Sequence, residues 1–248
     1  MPVGSERGGE GRGSARTAVV WDALRPALGE GTGRDVLDIG GGTGGFAVRV
    51  AELGHRVSVV DPSPDALAAL DRRAHERGVA ARVTGQQGEL STLLEVTGPA
   101  SADVVLCHGV LEIVEDPSAA LEVLARVLRP GGTLSLLVAQ RHAAVIARAM
   151  AGHFQQARSL LEPGPGEPGP GGRHGRRFTH GELTALVSAA GLVVDSVHGI
   201  RVFTDLVPGS LLDLEPGATQ ALVELERAVA ERSEYLPLAT QLHLLAHR

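Results

Sequence analysis

An acid followed by closely spaced glycines is the stretch whose residue types and spacing could do chemistry. The run is Val36-Leu37-Asp38-Ile39-Gly40-Gly41-Gly42-Thr43-Gly44-Gly45. Its apolar residues are typical of a buried parallel strand, and glycines let a backbone turn tightly and approach a ligand closely. Residues 46–53 then show helical spacing and end before Gly54. A strand, a glycine turn and a helix in this order predict the ligand crevice of a doubly wound sheet.

Two ligand chemistries compete for this glycine turn. The glycines alone match the G-x-G-x-x-G of dinucleotide sites, and together with Asp38 they match the D-x-G-x-G-x-G of S-adenosylmethionine sites. An acid just before the glycines would repel a pyrophosphate, whereas it suits a ligand that carries a sulfonium and an ammonium. Asp38 therefore favours the second chemistry, although the glycines leave both open.

A second acid closes the next predicted strand, residues 57–60. This acid is Asp61, and at such a position it accepts the two hydroxyls of an adenosine ribose in either class of site. It could also cap the helix that follows Pro62, a structural role that is compatible with ribose binding. At the end of the third strand, Gln87 or Glu89 could contact adenine, with a plain loop as the alternative.

The fourth predicted strand, residues 101–106, ends in a segment that could face the ligand. Residues just beyond the carboxyl end of a parallel strand line the crevice of such a sheet. His108 is therefore the first candidate for a general base, and Glu112 is the second, if the acceptor is a hydroxyl or an amine. Cys107 is interpreted as inert core filling, because no neighbouring base activates it.

Cationic side chains follow two further predicted strands. Arg141 and His142 follow residues 133–139, and Arg201 lies near the end of residues 192–203. A carboxylate acceptor is ionised at neutral pH, so it would need a cation to orient it and no base. Each of these three side chains could serve that purpose, and each could equally be a structural partner.

The remaining patterns predict an α/β chain. Met150 and Phe154 are expected to pack in the core from a helix over residues 143–161. The last element alternates apolar and polar residues and predicts an antiparallel C-terminal strand, over residues 240–246, in a seven-stranded, mostly parallel sheet. The other helices are predicted at residues 15–28, 65–78, 117–128, 179–190 and 219–235.

Length and composition limit the classes of protein to which the chain can belong. The 248 residues predict one domain over residues 15–248, with a disordered tail at residues 1–14 and a Pro/Gly-rich loop at residues 163–172. A net charge of −6 provides no general attraction for nucleic acid, so any RNA binding must be local. One cysteine, no signal-type segment and no apolar run of roughly 18 residues predict a cytoplasmic protein without membrane or metal partners.

Motifs spread over nearly the whole chain carry a family resemblance. They are Arg16 with Trp21, Asp38 to Gly44, Gly54-His55-Arg56-Val57, Cys107 to Glu112, Leu128-Arg129-Pro130-Gly131-Gly132, Ala151-Gly152-His153-Phe154, and Gly199 to Asp205. With these segments the chain resembles the class I S-adenosylmethionine-dependent methyltransferases, which have a Rossmann-like fold. Among them it is similar to the bacterial tRNA 5-carboxymethoxyuridine methyltransferases, which methylate the carboxylate of a modified wobble uridine.

The resemblance implies a set of site residues. By this likeness Arg16 would hold the cofactor's carboxylate, Asp61 its ribose, and Gln87 with Gly88 the adenine edge. The full set of implied cofactor contacts is Arg16, Asp38, Gly40, Gly41, Gly42, Asp61, Pro62, Gln87, Gly88 and His108. His108, His142 and Arg201 are the candidates for catalysis.

The chain also departs from the family's pattern. The family usually has an acid where Gly88 stands, a lysine run where residues 163–172 lie, and an aromatic residue and an asparagine in place of Ala139 and Gln140. The last two departures lie on the acceptor side, so the cofactor is the firmer expectation and tRNA the less firm one. Methylation of a small metabolite and a non-catalytic, cofactor-binding role remain as alternatives.

Overall fold

The computed structural model describes residues 6–29, 33–161, 175–212 and 216–248, with side chains from Thr17 onward. The predicted loop at residues 163–172 lies outside these ranges. Residues 1–5 of the predicted tail also lie outside them, and the first helix begins at Glu6 rather than at the predicted Ala15.

Seven strands form one sheet, as predicted. In spatial order they run β3-β2-β1-β4-β5-β7-β6, with a parallel set followed by an antiparallel end. The strands are β1 (Asp35–Ile39), β2 (Arg56–Asp61), β3 (Val83–Gln87), β4 (Ala102–His108), β5 (Leu128–Ala139), β6 (Val193–Ile200) and β7 (Gln241–His247).

Ten α-helices are assigned within the described ranges, and 3₁₀ turns lie at Ala80–Arg82, Leu90–Thr92 and Leu236–Leu238. The helices are α1 (Glu6–Leu28), α2 (Ala47–Glu52), α3 (Pro64–Glu76), α4 (Leu93–Thr97), α5 (Pro117–Val127), α6 (Arg141–Met150), α7 (Phe154–Ser159), α8 (His180–Ala189), α9 (Gly209–Leu212) and α10 (Ala218–Val229).

Strand β1 occupies the middle of the parallel set because its apolar residues are buried on both faces. It pairs in parallel with β2 and with β4, and Ile39 lies opposite Val60 on one side and Cys107 on the other. The carboxyl ends of these three strands therefore lie at the same edge, which is where a doubly wound sheet binds its ligands.

Two helices start at that edge with side-chain caps. The Ser63 hydroxyl accepts a hydrogen bond from the Ala66 N–H at 3.2 Å and begins α3. Asp116 accepts from the backbone N–H groups of Ser118 and Ala119 at 2.8 and 3.1 Å and begins α5. Each cap is followed by proline, which suits the first helical position.

Residues 129–132, which the sequence places as a turn between the predicted helix over residues 117–128 and the predicted strand over residues 133–139, instead belong to β5. Its pairing with β4 is irregular: Ala102 lies opposite Leu128, and the next partners are Val104 and Thr133. The extra residues bulge out of the ladder. The Gly131 N–H donates to the Arg248 carbonyl at 3.0 Å, and the Arg248 N–H donates to the Gly132 carbonyl at 3.1 Å.

The predicted single helix over residues 143–161 is also wrong. It is divided into α6 and α7 by residues 151–153, where Gly152 has φ = 77°, a left-handed conformation that ends a helix. Met150 and Phe154, expected in the core, are exposed over 75% and 70% of their surface.

The chain divides into two compact units that are interleaved in sequence. One, here the first unit, comprises Met1–Arg25, Ala139–His180 and Ser196–His243; the second comprises Pro26–Val138, Gly181–Asp195 and Leu244–Arg248. The single domain over residues 15–248 stays a prediction. Across the described helices, none combines the length and apolarity that crossing a membrane requires.

A buried carboxylate on α10 organises the segment that follows β6 in the first unit. Glu226 is 1% exposed and accepts hydrogen bonds from the backbone N–H groups of Val202, Phe203 and Thr204 at 2.7–2.9 Å. The Thr204 hydroxyl donates a fourth hydrogen bond at 2.6 Å. One side chain thus satisfies three successive backbone donors.

Replacing Glu226 with alanine is expected to lower the free energy of unfolding by about 2–5 kcal/mol, because buried donors lose their acceptor. Urea denaturation followed by circular dichroism measures this change. Glu224→Ala on the same helix is the matched control, since Glu224 is exposed and accepts one side-chain hydrogen bond, from Gln220. Equal losses of stability in the two variants would contradict the assignment.

Candidate functional site

A cavity of about 690 Å³ lies at the carboxyl edge of β1, β2 and β4, within the second unit. This volume falls in the range of small-molecule sites. Five of the residues expected to bind cofactor line it: Gly40, Asp61, Pro62, Gly88 and His108. Its walls also include apolar side chains that sequence reasoning did not name: Leu90, Val110, Ile113, Val114 and Val123.

The glycine turn leaves no room for side chains at Gly40, Gly41 and Gly44, and a Cβ at Gly44 would overlap the Leu70 side chain. A Cβ at Gly40, where φ is 66°, would lie 2.5 Å from the Val110 Cγ2 atom. A Cβ at Gly41 would lie 2.5 Å from Asp38 Oδ2. The backbone of the turn therefore packs directly on the cavity wall on one side and on the buried acid on the other.

Asp61 ties the glycine turn to the end of β2. Its two carboxylate oxygens accept hydrogen bonds from the Gly42 N–H and the Ser63 N–H, each at 2.9 Å. The Gly40 N–H donates to the Val60 carbonyl at 2.8 Å. Each carboxylate oxygen keeps a further lone pair, so Asp61 can accept additional hydrogen bonds from a ligand.

Asp38 is a buried acid beneath the turn, with 3% of its surface exposed. Burial raises the pKa of Asp38 to about 7, and the negative charge of Asp61 adds to the effect. Among the described residues, none makes a hydrogen bond to the carboxylate that opposes this rise in pKa. A cationic group close to Asp38 would restore its charged form, so this position fits a positively charged part of a ligand.

His108 lines the cavity with its ring held from two sides. Its Nε2 atom lies 2.9 Å from the Ser135 hydroxyl, and the Phe46 ring packs edge-on at a centroid distance of 4.7 Å. Burial lowers the pKa of His108 to about 4, so the imidazole is neutral at pH 7 and a weak proton acceptor. Cys107 beside it is fully buried, and burial raises the pKa of its thiol, as expected for inert core filling.

The partnership of His108 with Ser135 was missed by sequence reasoning. Ser135 is fully buried on β5, between two leucines, and a serine inside an apolar strand is the signal that could have revealed it. A buried hydroxyl needs a hydrogen-bond partner, and strand pairing places His108 near it.

Gln87 and Arg16 were also expected to contact the cofactor. The Gln87 side chain is exposed and donates to the Pro62 carbonyl at 3.3 Å, so Gly88 and Glu89 line the cavity where Gln87 was expected. Arg16 is in α1, but its side chain lies outside the described residues.

The other two catalytic candidates belong to the first unit. Arg201 has a left-handed backbone with φ = 60°, which is uncommon for a residue with a side chain, and its guanidinium forms an ion pair with Asp205. The Thr240 hydroxyl lies 3.1 Å from the Arg201 carbonyl and 3.0 Å from the Asp205 carboxylate. His142 lies beside Gln140, and its Nδ1 atom is 3.4 Å from the Gln140 Nε2 atom.

The described residues contain no candidate metal site. No three His, Cys, Asp or Glu side chains among them are arranged to hold a metal ion.

Comparison with known proteins finds methyltransferases. The family described as a methyltransferase domain matches residues 37–134. The ubiquinone biosynthesis O-methyltransferase of Paraburkholderia phymatum is 33% identical over 171 residues, 68% of this chain and 68% of that protein. The tRNA 5-carboxymethoxyuridine methyltransferase of Escherichia coli K12 is 28% identical over 254 residues, 97% of this chain and 90% of that protein.

Solved structures share the fold. An S-adenosylmethionine-dependent methyltransferase from Mesorhizobium loti matches with a TM-score of 0.62 and 21% identity, over 94% of this chain and 100% of that one. Geranyl diphosphate C-methyltransferase from Streptomyces coelicolor, solved with S-adenosyl-L-homocysteine, matches with a TM-score of 0.64 and 16% identity. The match covers 100% of this chain and 86% of that one. These likenesses confirm the predicted Rossmann-like fold.

Substituting alanine at Gly40 tests the packing of the turn. Gly40→Ala is expected to lower the free energy of unfolding by roughly 1–3 kcal/mol more than Gly78→Ala, because its Cβ overlaps Val110. Gly78 has a similar φ of 70° and open space around it, so it isolates the backbone cost. Chemical denaturation of the two variants gives the comparison, and equal losses would refute the close packing.

The raised pKa of Asp38 predicts a pH-dependent stability of the ligand-free protein. Below pH 4 both folded and unfolded states hold the proton, whereas between about pH 4 and 7 only the folded state does. Stability is therefore lost as the pH rises to about 7, by a total of about 4 kcal/mol from this group.

Asp38→Asn removes this titration. The free energy of unfolding of Asp38→Asn, relative to wild type, is expected to increase steadily from pH 4 to 8 in urea denaturation. Parallel pH curves for the two proteins would show that Asp38 has an ordinary pKa.

Proposed function

Because this chain belongs to the S-adenosylmethionine-dependent methyltransferases, we propose that it methylates a carboxylate, that of a modified wobble uridine in tRNA. The observation that carries the proposal is the setting of His108, whose Nε2 atom lies 2.9 Å from the Ser135 hydroxyl and whose pKa is lowered by burial. A base this weak is poorly matched to a hydroxyl, whereas a carboxylate is already ionised and needs no base. The likeness to the tRNA methyltransferase over 97% of the chain supports the same acceptor.

The residues of the cavity fit the cofactor. When bound, S-adenosylmethionine supplies an electrophilic methyl group on a positively charged sulfur. We assign Asp38 to its cationic amino acid part, since this carboxyl is buried and the described residues supply no hydrogen bond that supports its charge. Asp61 has oxygen lone pairs for the ribose hydroxyls, and Pro62 with Gly88 would border the adenine.

His108 acts in this proposal as a positioning group. With Ser135 and Phe46 fixing its ring, the neutral imidazole can hold a hydrogen bond without gaining a proton. Methyl transfer then depends on alignment of the reacting atoms, which can contribute up to roughly 7–11 kcal/mol.

Arg201 is the proposed cation for the acceptor carboxylate. Its guanidinium is oriented by Asp205, and its Nε atom is buried without a hydrogen bond to any described residue. Arginine suits this role because its planar donors match the two oxygens of a carboxylate. His142 and Arg141 are the second choices. A tRNA substrate would also place the activity in the cytoplasm.

Methylation of a small molecule is the second candidate. It is favoured by the 33% identity to the ubiquinone biosynthesis O-methyltransferase and by the net charge of −6. A hydroxyl or amine acceptor would need a base, and Glu112 would then be the candidate. A cofactor-binding protein without catalysis is the third possibility, which the same assay distinguishes.

Transfer of labelled methyl from S-adenosylmethionine to bulk bacterial tRNA tests the proposal. Label is expected to enter tRNA and to be released by mild alkali, because a methyl ester hydrolyses under conditions that leave methylated ring atoms intact. Asp38→Asn serves as the blank, since it is expected to weaken cofactor binding. Alkali-stable label would contradict a carboxylate acceptor.

Arg201→Gln in the same assay separates acceptor binding from cofactor binding. It is expected to lower kcat/KM for tRNA about tenfold or more, because a charge-assisted contact is lost. Cofactor affinity measured by calorimetry should not change. Calorimetric binding of the cofactor by wild type, without any label in tRNA, would redirect the search to small acceptors.

A further inference from the structure

Helices α6 and α7 present an exposed apolar surface in the first unit. We call it the α6–α7 surface and define it by Ile146, Met150, Phe154 and Leu161. These side chains are exposed over 38%, 75%, 70% and 57% of their surface, respectively. Leaving large apolar groups in water is unfavourable, and four of them along residues 146–161, on and beside two helices that pack together, indicate an interaction site.

The charge of the surrounding segment is opposite to that of the whole chain. Residues 140–161 contain three arginines and two histidines and no aspartate or glutamate, although the chain has 23 basic and 29 acidic residues. Arg148 and Arg158 form no ion pair with any residue in the described ranges. Their positive charges are therefore available to a negatively charged partner.

The turn between the helices fixes the geometry of this surface. The His153 N–H donates to the Arg148 carbonyl, and the Ala157 N–H donates to the His153 carbonyl, each at 2.9 Å. Ala157 is buried, so α7 is anchored by one face while Phe154 and Arg158 remain exposed. The apolar and cationic groups thus lie on short helices that pack against each other.

We propose that the α6–α7 surface docks an unpaired loop of the RNA substrate. Arg148 and Arg158 contact phosphates, and Phe154 stacks on an exposed base. Single-stranded RNA is bound in this way, by cations that follow the backbone and aromatic rings that take the bases. This inference rests on the proposed function, because it names where that substrate is held.

A lipid surface is the competing partner for a basic and apolar helix. The structure favours RNA because α6 and α7 are only 10 and 6 residues long and are separated by a turn, so they offer no long continuous apolar face. Charge complementarity to phosphate is satisfied by arginines on both helices.

Binding of fluorescent tRNA to the full chain, with S-adenosylhomocysteine present, tests this surface apart from catalysis. Phe154→Ala is expected to weaken binding about 5- to 100-fold through loss of a stacked base. Arg158→Gln should reduce the slope of log affinity against log salt by about 0.7–1. The matched controls are Leu225→Ala and Arg72→Gln, exposed changes on other helices that should bind tRNA like wild type.

The outcomes separate this proposal from the proposed function. If both α6–α7 variants bind tRNA like wild type while tRNA is still methylated, the docking surface is refuted and the methyltransferase assignment stands. If wild type neither binds nor methylates tRNA, both proposals fail. A third outcome is that wild type binds vesicles containing phosphatidylglycerol, Phe154→Ala does not bind them, and wild type does not bind tRNA. The surface would then be a membrane contact, and the RNA proposal would be overturned.

Discussion

Two carboxyl groups buried beneath one glycine turn set the chemistry of the second unit. Asp61 is stabilised by two backbone N–H donors, whereas in the part of the chain that the structure describes burial and the charge of Asp61 both disfavour the ionised form of Asp38. The ionised forms of both groups are costly to hold together without a cation. A ligand that brings positive charge relieves this constraint, and a pyrophosphate would aggravate it. The same electrostatics that make the ligand-free site unfavourable thus select the sulfonium cofactor over a dinucleotide.

The part of this arrangement that follows from local patterns could be predicted from sequence. Short apolar runs ending in Asp38, Asp61 and His108 identify parallel strands, and the crevice rule brings their ends together. The contact of Val110 with the turn could not be predicted, and Ser135 indicates only that a buried hydroxyl needs a partner, since the partner depends on which residues of neighbouring elements come to lie side by side. A strand's periodicity gives its buried face, but it does not give its register against the next strand.

The helices after β5 show a different limit of sequence reasoning. Apolar residues at helical spacing indicate that a helix has an apolar face, and they do not say what covers it. Met150 and Phe154 were expected in the core on this pattern alone. Gly152 interrupts the helix between them, and both side chains remain exposed. An apolar stripe is therefore equally a signal for an external partner, and the absence of acidic residues nearby favours an anionic one.

The proposed reaction would also change the charges that hold its reactants. A carboxylate bound to Arg201 becomes a neutral ester on methylation, so the guanidinium loses the anion that it binds most strongly. The cofactor loses its sulfonium charge in the same step, so its attraction to the buried acids weakens. The site therefore binds the charged reactants more tightly than their less charged products. The same electrostatic contacts that bind the reactants thus favour release of the products. Docking of RNA on the α6–α7 surface would be unaffected by this change, because the phosphates keep their charge.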